Sequence, residues 1–187
     1  MLFWIEEHDI DGYRADAAHS VPTDFWEDIA ADLREVKPVF MLAEAESPKE
    51  LFHNAFEMGY NWEGHHIMNS IAQGDKTAKD WDDYMEKVDS TFQEDDYLMN
   101  FVTNHDENSW AGTVEERMGD ASEAMLAMTY TLPGMPLIYS GQEYDMNKRL
   151  KFFVKDTIPK KKGKVYPLLE KLGKLKMESH FTVTTRF

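Results

Sequence analysis

In three places in this sequence a short apolar run ends in a carboxylate. These acids are the residues best suited to chemistry. In a parallel α/β barrel the reacting groups lie at the C-terminal ends of strands. Acids that end apolar runs therefore come first, and these are Asp16, Glu44 and Asp106. Carboxyl groups in such positions can serve as a nucleophile or as a general acid and base.

The first motif, residues 11–16, brings an arginine close to an aspartate. Arg14 and Asp16 are two positions apart, so their side chains point to the same side of a strand. A guanidinium beside a carboxylate favours the ionised form, which is the form that a nucleophile needs. A purely structural ion pair is the alternative interpretation of these two residues.

The second motif is an apolar strand that ends directly in Glu44, with an alanine on either side. Partial desolvation by such neighbours raises the pKa of a carboxyl group, so Glu44 is predicted to keep a proton that it can donate and later take back. Glu46 lies on the same face two residues later and is the competing candidate. Either acid could instead stabilise the start of a helix near Ser47.

The third motif is an apolar run from Phe101 that leads into Asn104, His105 and Asp106. At a strand end, an imidazole can donate a hydrogen bond to a substrate hydroxyl. The aspartate can bind adjacent hydroxyls more tightly in the transition state than in the ground state. Elsewhere a His-Asp pair is more often structural or part of a metal site.

These motifs are positioned by short apolar strands that alternate with amphipathic helices, a pattern that predicts an α/β fold. Strands are predicted over 10–18, 39–43, 55–62, 98–103 and 135–139, and helices over 25–36, from Ser47 onward, within 75–96, over 120–130 and over 166–180. Thr23 or Asp24 is expected to cap the first helix, and Asp24 is favoured because Glu27 follows three residues later. Residues 147–164 are predicted to be a solvated basic loop.

The charge balance narrows the range of partners. The 187 residues carry 20 basic and 35 acidic side chains, a formal net charge of −15, which disfavours nucleic acid and anionic membranes. A neutral sugar polymer is compatible with this balance. Cysteine is absent, which excludes disulfide and thiolate chemistry and leaves the compartment open. We expect neither a signal peptide in the first residues nor a membrane span over the interrupted apolar stretch 124–138.

Together the three motifs resemble the α-amylase family of glycoside hydrolases in kind, order and strand position. Residues 12–18 are similar to its nucleophile strand, residues 43–45 to its acid/base strand, and residues 101–106 to the motif of its third carboxylate. Residues 133–143 resemble the last barrel strand, so the likeness covers nearly the whole chain. The three acids are 28 and 62 positions apart, which fits one and about two βα units of roughly 30 residues.

The resemblance implies a retaining hydrolase that acts on α-glucans such as starch and maltodextrin. In that mechanism Asp16 would attack the anomeric carbon, and Glu44 would protonate the glycosidic oxygen and later activate water. Asp106 would distort and steady the sugar, with Arg14 and His105 assisting.

Further substrate contacts are expected from two residues of these motifs. Asn104 belongs to the third motif and would bind substrate beside His105. His19 and Ser20 stand where many α-amylases carry a lysine and a histidine that hold the aglycone side, so the resemblance leaves the subsite preference around His19 open.

The likeness begins just before the fourth barrel strand. The sequence therefore predicts a partial TIM (β/α)8 barrel, about strands 4 to 8 with their helices. Residues 1–180 are expected to form this partial catalytic domain, and residues 181–187 to begin a truncated C-terminal segment. The chain is expected to be a fragment of the full enzyme, and it could self-associate through open barrel edges.

Several alternatives remain open at this point: an inactive fragment, a noncatalytic carbohydrate-binding relative, and a transglycosylase of the same family. A metal-dependent hydrolase would have to draw on His8, Asp9, Asp11, His65 or His66, but no HExxH-type spacing supports it. Calcium is common in the family, so the resemblance makes it possible here. Its usual asparagine ligand belongs to the part of the barrel that the likeness does not cover, so no metal ligand is identified among these residues and no cofactor is predicted.

Overall fold

The computed structural model describes residues 1–178, and the C-terminal segment expected over 181–187 lies outside this range. Five strands form a sheet in the order β1-β2-β3-β4-β5. They are β1 Gly12–Ala15, β2 Phe40–Ala43, β3 Met58–Tyr60, β4 Tyr97–Asn100 and β5 Met135–Pro136. The pairings of β1 with β2, β2 with β3 and β3 with β4 are parallel. The predicted α/β class is therefore confirmed.

Helices precede, separate and follow these strands. The α-helices are α1 Leu2–His8, α2 Thr23–Val36, α3 Leu51–Asn54, α4 Trp62–Gln73, α5 Ala78–Thr91, α6 Val114–Met118, α7 Ser122–Thr131 and α8 Val165–Glu178. Single turns of 3₁₀-helix occur at Ala18–Ser20, Gly119–Ala121 and Gln142–Tyr144, and a π-helix spans Glu107–Ala111. No helix in the described part of the chain is long and apolar enough to cross a membrane.

The register of β1 on β2 brings the first two motifs to the same edge of the sheet. Ala15 lies opposite Ala43, and the Glu44 N–H donates to the Ala15 carbonyl at 2.9 Å. Gly12 permits this close pairing, because a Cβ at that position would overlap the carbonyl of Phe40. Each motif therefore leaves its strand at the carboxyl end, where a parallel sheet places reacting groups.

Several elements differ from their predicted bounds. β1 ends at Ala15 instead of running to residue 18, because Ala17 adopts a left-handed conformation with φ 44° that ends an extended strand. Pro22 occupies the N-cap position of α2, and the Asp24 carboxylate accepts a hydrogen bond from the Phe25 N–H. The helix expected from Ser47 begins only at Leu51.

The chain divides into two compact units. The first comprises Met1–Trp62 and Glu86–Met99, and the second comprises Glu63–Met85 and the described residues from Asn100 onward. The core of the first unit includes the buried side chains of Ile5, Leu33, Met41, Leu51 and Phe56. The second unit buries Met68, Phe101, Val102, Leu126 and Tyr130. Each unit thus has apolar support for its own functional groups.

Candidate functional site

In the first unit the guanidinium of Arg14 joins three functional groups. Its Nη1 donates to Asp16 Oδ1 at 2.6 Å, and its Nη2 forms an ion pair with Glu44 Oε1. Its Nε donates to the hydroxyl of Tyr60 at 3.2 Å. The structure therefore contains the Arg14–Asp16 contact that the sequence spacing indicated, and it adds Glu44 and Tyr60 to the same group.

Arg14 supplies a fixed positive charge between two acids. Burial alone would lower the pKa of Arg14, but hydrogen bonds to Tyr60 and Asp16 and the charge of Glu44 raise it above its usual value. The planar guanidinium can direct its donors along several directions at once. Arg14 can thus fix the positions of both carboxylates without giving up its charge.

The two carboxylates of this unit differ sharply in exposure. The side chain of Asp16 is 80% exposed, whereas that of Glu44 is only 15% exposed. Glu44 Oε2 also accepts a hydrogen bond from the Ala17 N–H at 2.8 Å. Both oxygens of Glu44 therefore have polar partners, which differs from the apolar surroundings expected from its flanking alanines. The Asp16 carboxylate is therefore largely in solvent, while Glu44 is held in one orientation.

An open groove of about 700 Å³ runs beside Glu44 in the first unit. Its lining consists of Ala17, His19, Glu44, Ala45, Glu46, Ser47, Pro48 and Trp62. The structure thus brings His19 and both candidate glutamates to one cavity. The ring of Trp62 stacks on that of Tyr60, with centroids 5.5 Å apart and planes 23° apart.

Tyr60 and Trp62 are functional candidates that the sequence analysis did not single out. They end the third predicted strand, residues 55–62, and that position was a usable signal. Neither residue is a carboxylate or a histidine, so a search for chemically reactive side chains passes over them.

In the second unit His105 and Asp106 follow β4 as neighbours. His105 Nε2 lies 3.5 Å from Asp106 Oδ2, and both side chains are partly exposed. Burial raises the pKa of Tyr139, and the charge of Asp106 adds to that shift. The charge of Asp106 therefore acts on the phenol of Tyr139, three residues after β5.

Asn104 has a different environment from its neighbours. It is buried, and its Oδ1 accepts a hydrogen bond from the Glu107 N–H at 2.8 Å. Its buried Nδ2 has no hydrogen-bond partner among residues 1–178. Asn104 therefore lies beneath the turn that presents His105 and Asp106, and it stabilises that turn from inside.

A buried polar network supports the same turn. His65 Nε2 lies 2.9 Å from Glu107 Oε2, and His65 Nδ1 lies 3.0 Å from the carbonyl of Phe101. Arg117 donates to the Val102 carbonyl at 2.7 Å, and its Nη1 lies 3.9 Å from Glu107. The hydrogen bond from His65 lowers the pKa of Glu107 against the opposing effect of burial. The network therefore contacts the chain before Asp106, at Phe101 and Val102, and after it, at Glu107.

The residues of the metal alternative have other partners. Lys37 Nζ donates to Asp9 at 2.6 Å and to Asp11 at 3.2 Å. The His8 ring packs against Phe3 and Trp4, and His65 belongs to the buried network of the second unit. These groups are thus occupied by contacts within the protein.

A family model and the related proteins all indicate the same family for this chain. The family model described as "Alpha amylase, catalytic domain" matches residues 1–171. The chain is 26% identical over 142 residues to the alpha-amylase MalA of Haloarcula japonica, and this match covers 75% of the chain and 21% of that protein.

Two solved structures are similar over almost all of the chain. An alpha-amylase from Lactobacillus plantarum shares 28% identity with a TM-score of 0.85, covering 98% of this chain and 47% of that one. The noncanonic maltogenic alpha-amylase AmyB from Thermotoga neapolitana shares 26% identity with a TM-score of 0.83, covering 96% of this chain and 42% of that one. The chain thus spans less than half of each solved structure and about a fifth of the curated relative.

Proposed function

This chain belongs to the α-amylase catalytic-domain family, and we propose that it carries the catalytic carboxylates of a retaining glycoside hydrolase acting on α-glucans. The observation that carries the proposal is the group formed by Arg14, Asp16 and Glu44 at the ends of two adjacent parallel strands. The names of the relatives, alpha-amylase and maltogenic alpha-amylase, support the substrate class.

Asp16 is the nucleophile in this proposal. It is the more exposed acid of the Arg14 group, and the guanidinium of Arg14 places a positive charge beside its carboxylate. In the first step a carboxylate oxygen of Asp16 forms a bond to the anomeric carbon while the bond to the glycosidic oxygen breaks. The product of this step is a covalent glycosyl ester on Asp16.

Glu44 is the general acid and base. In the first step it gives a proton to the departing glycosidic oxygen, and in the second it takes a proton from the water that attacks the ester. The support is its restricted orientation between Arg14 and the Ala17 N–H, which suits proton transfer along a fixed direction. Two inversions at the anomeric carbon give net retention.

Asp106 and His105 bind the hydroxyls of the reacting sugar in this proposal. Their partial exposure leaves donor and acceptor atoms available for such contacts. Because Asn104 is buried, we assign it a positioning role through the turn and not a direct contact with substrate. The groove lined by His19 and Trp62 would hold the leaving part of the glucan, next to the proton donor Glu44.

The test is release of reducing sugar from soluble starch, with the N-terminal barrel strands of a solved relative joined ahead of residue 1. This joined protein should hydrolyse starch. The rate should fall by about 10³-fold or more in each of the variants Asp16→Asn, Glu44→Gln and Asp106→Asn. A β-linked glucan serves as the control substrate and should not be cleaved.

The outcomes separate the alternatives. Starch cleavage that is unchanged in Asp16→Asn contradicts the proposal. Longer glucans formed without new reducing ends would identify a transglycosylase, and starch binding without any turnover would identify a noncatalytic relative.

A further inference from the structure

Three aromatic side chains form an exposed cluster in the second unit. Trp110 lies on the π-helix that follows Asp106, and its ring centroid is 5.2 Å from that of Phe152 and 5.9 Å from that of Phe153. Trp110 is 60% exposed and Phe153 is 81% exposed. Large apolar side chains that stay in solvent together mark an interaction site more often than a structural one.

The segment that carries the two phenylalanines is tied to the π-helix by hydrogen bonds. Asn108 Nδ2 donates to the Lys148 carbonyl at 3.1 Å, and the Leu150 N–H donates to Asn108 Oδ1 at 2.8 Å. Ser109 Oγ donates to the Leu150 carbonyl at 2.8 Å. The cluster is therefore organised before a ligand arrives, which reduces the entropy lost on binding.

The cluster is continuous with the third carboxylate motif. The Phe152 ring stacks on His105 with centroids 6.0 Å apart and planes 23° apart. His105 in turn lies beside Asp106, which the proposed function places at the reacting sugar. A glucan bound at Asp106 would thus have these rings next to it, within the same unit.

We propose that Trp110, Phe152 and Phe153 form a binding subsite for a glucosyl unit adjacent to the one held by His105 and Asp106. The occupant is a neutral α-glucan, whose ring C–H bonds pack against the electron-rich faces of aromatic side chains. This inference rests on the proposed function, because continuity with Asp106 is what selects a glucan over other ligands. The subsite contributes to binding and takes no part in proton transfer.

The test measures binding in the absence of turnover. In the 187-residue chain carrying Asp16→Asn, the Kd for maltoheptaose is measured by isothermal titration calorimetry, with and without Trp110→Ala or Phe153→Ala. Either substitution should raise the Kd about tenfold, as truncation of an aromatic anchor does at other binding sites. Both residues are exposed, so far-ultraviolet circular dichroism should be unchanged.

Trp4→Ala is the matched control. Trp4 is 51% exposed and belongs to another exposed aromatic cluster, with Phe3 and His8 in the first unit. The Trp4→Ala substitution should change the Kd for maltoheptaose by less than about twofold.

An unchanged Kd in Trp110→Ala and Phe153→Ala would overturn the subsite. So would a sedimentation mass that halves in Trp110→Ala while maltoheptaose binding persists, because the cluster would then bind a second copy of the chain. The readout is independent of catalysis. Starch cleavage indifferent to Asp16 would refute the proposed function, whereas binding that depends on Trp110 would still support the subsite.

Discussion

Arg14 contacts Asp16, Glu44 and Tyr60 at once, and its shape explains how two acids can be held at adjacent strand ends. A guanidinium spreads one charge over several N–H donors in a plane, whereas an ammonium is a compact point charge. Arg14 can therefore bind groups that approach from different strands. In the proposed mechanism the exposed acid, Asp16, attacks the anomeric carbon, and the enclosed acid, Glu44, transfers the proton.

The choice between Glu44 and Glu46 can be tested by substrate dependence. Glu44→Gln is expected to slow cleavage of maltodextrin about 10²–10⁴-fold, because a poor leaving group needs a proton. Hydrolysis of an aryl α-maltoside with a good leaving group should fall much less. The measurement is kcat/KM on both substrates, in the chain joined to the N-terminal barrel strands of a solved relative.

Glu46→Gln is the matched control for this experiment, since it makes the same change two residues away in the same groove. It should affect both substrates alike and weakly. If Glu46→Gln showed the selective loss and Glu44→Gln did not, the proton donor would be Glu46.

The residue-level predictions succeeded where they depended on local spacing. The alternation of side chains predicted that Arg14 and Asp16 would lie close together, and they form a hydrogen bond although β1 ends at Ala15, one residue before Asp16. The contacts of Arg14 with Glu44 and Tyr60 depend on the register of three strands, which residue spacing does not specify. The catalytic roles of these residues stay predictions.

At the scale of elements, the order of strands was predictable and their ends were not. Apolar runs showed where β1 to β4 lie, but the parallel ladders are shorter than the runs. α4 was missed because it buries the polar residue His65 together with Met68, and such a helix has no clean apolar stripe in its sequence. The partner of His65, Glu107, is 42 residues away and gives no local signal.

The pair of His65 and Glu107 joins α4 to the π-helix and should make stability depend on pH. The pKa of Glu107 is lowered from its ordinary 4.5, chiefly by the hydrogen bond from His65. A carboxyl group with a lowered pKa stabilises the fold fully above its unfolded value, and this contribution is lost as the pH falls through the folded value. The affected range therefore lies below about pH 4.5.

Glu107→Gln tests this contribution. The substitution should reduce the free energy of unfolding by about 1–3 kcal/mol at neutral pH, because a charged hydrogen bond in a buried network is lost. The difference from the parent chain should shrink as the pH falls below 4.5. Urea unfolding at pH 7 and at lower pH measures it. Glu35→Gln, at an exposed position of α2, is the control and should show no such difference. A loss of unfolding free energy in Glu107→Gln that stays constant with pH would contradict the account.

At the scale of the whole molecule, the chain corresponds to less than half of each solved relative. The chain spans 42% and 47% of two solved relatives, and its described sheet has five strands, whereas a TIM barrel has eight. β1 and β5 are the edge strands of this sheet. Unpaired edges of parallel sheets favour association with another strand.

The 187-residue chain by itself should therefore hydrolyse starch at least about 100-fold more slowly than the same chain joined to the N-terminal barrel strands of a solved relative. A retaining site needs its two carboxyl groups about 5 to 5.5 Å apart, and surrounding packing maintains that separation. Reducing-sugar release is the measurement, with Asp16→Asn as the blank and light scattering to record the oligomeric state. Robust Asp16-dependent turnover by a monomer would show that the additional strands are dispensable.

The most direct test of the account is to identify the residue that becomes covalently glycosylated. The chain joined to the N-terminal barrel strands of a solved relative is treated with a fluorinated α-glucosyl donor, which slows hydrolysis of the intermediate. Its peptides are then analysed by mass spectrometry. The account predicts one glucosyl label on Asp16, absent in Asp16→Asn and formed at a normal rate in Trp4→Ala. A label on Glu44 or Glu46, or a label that persists in Asp16→Asn, would contradict the central claim that Asp16 is the nucleophile.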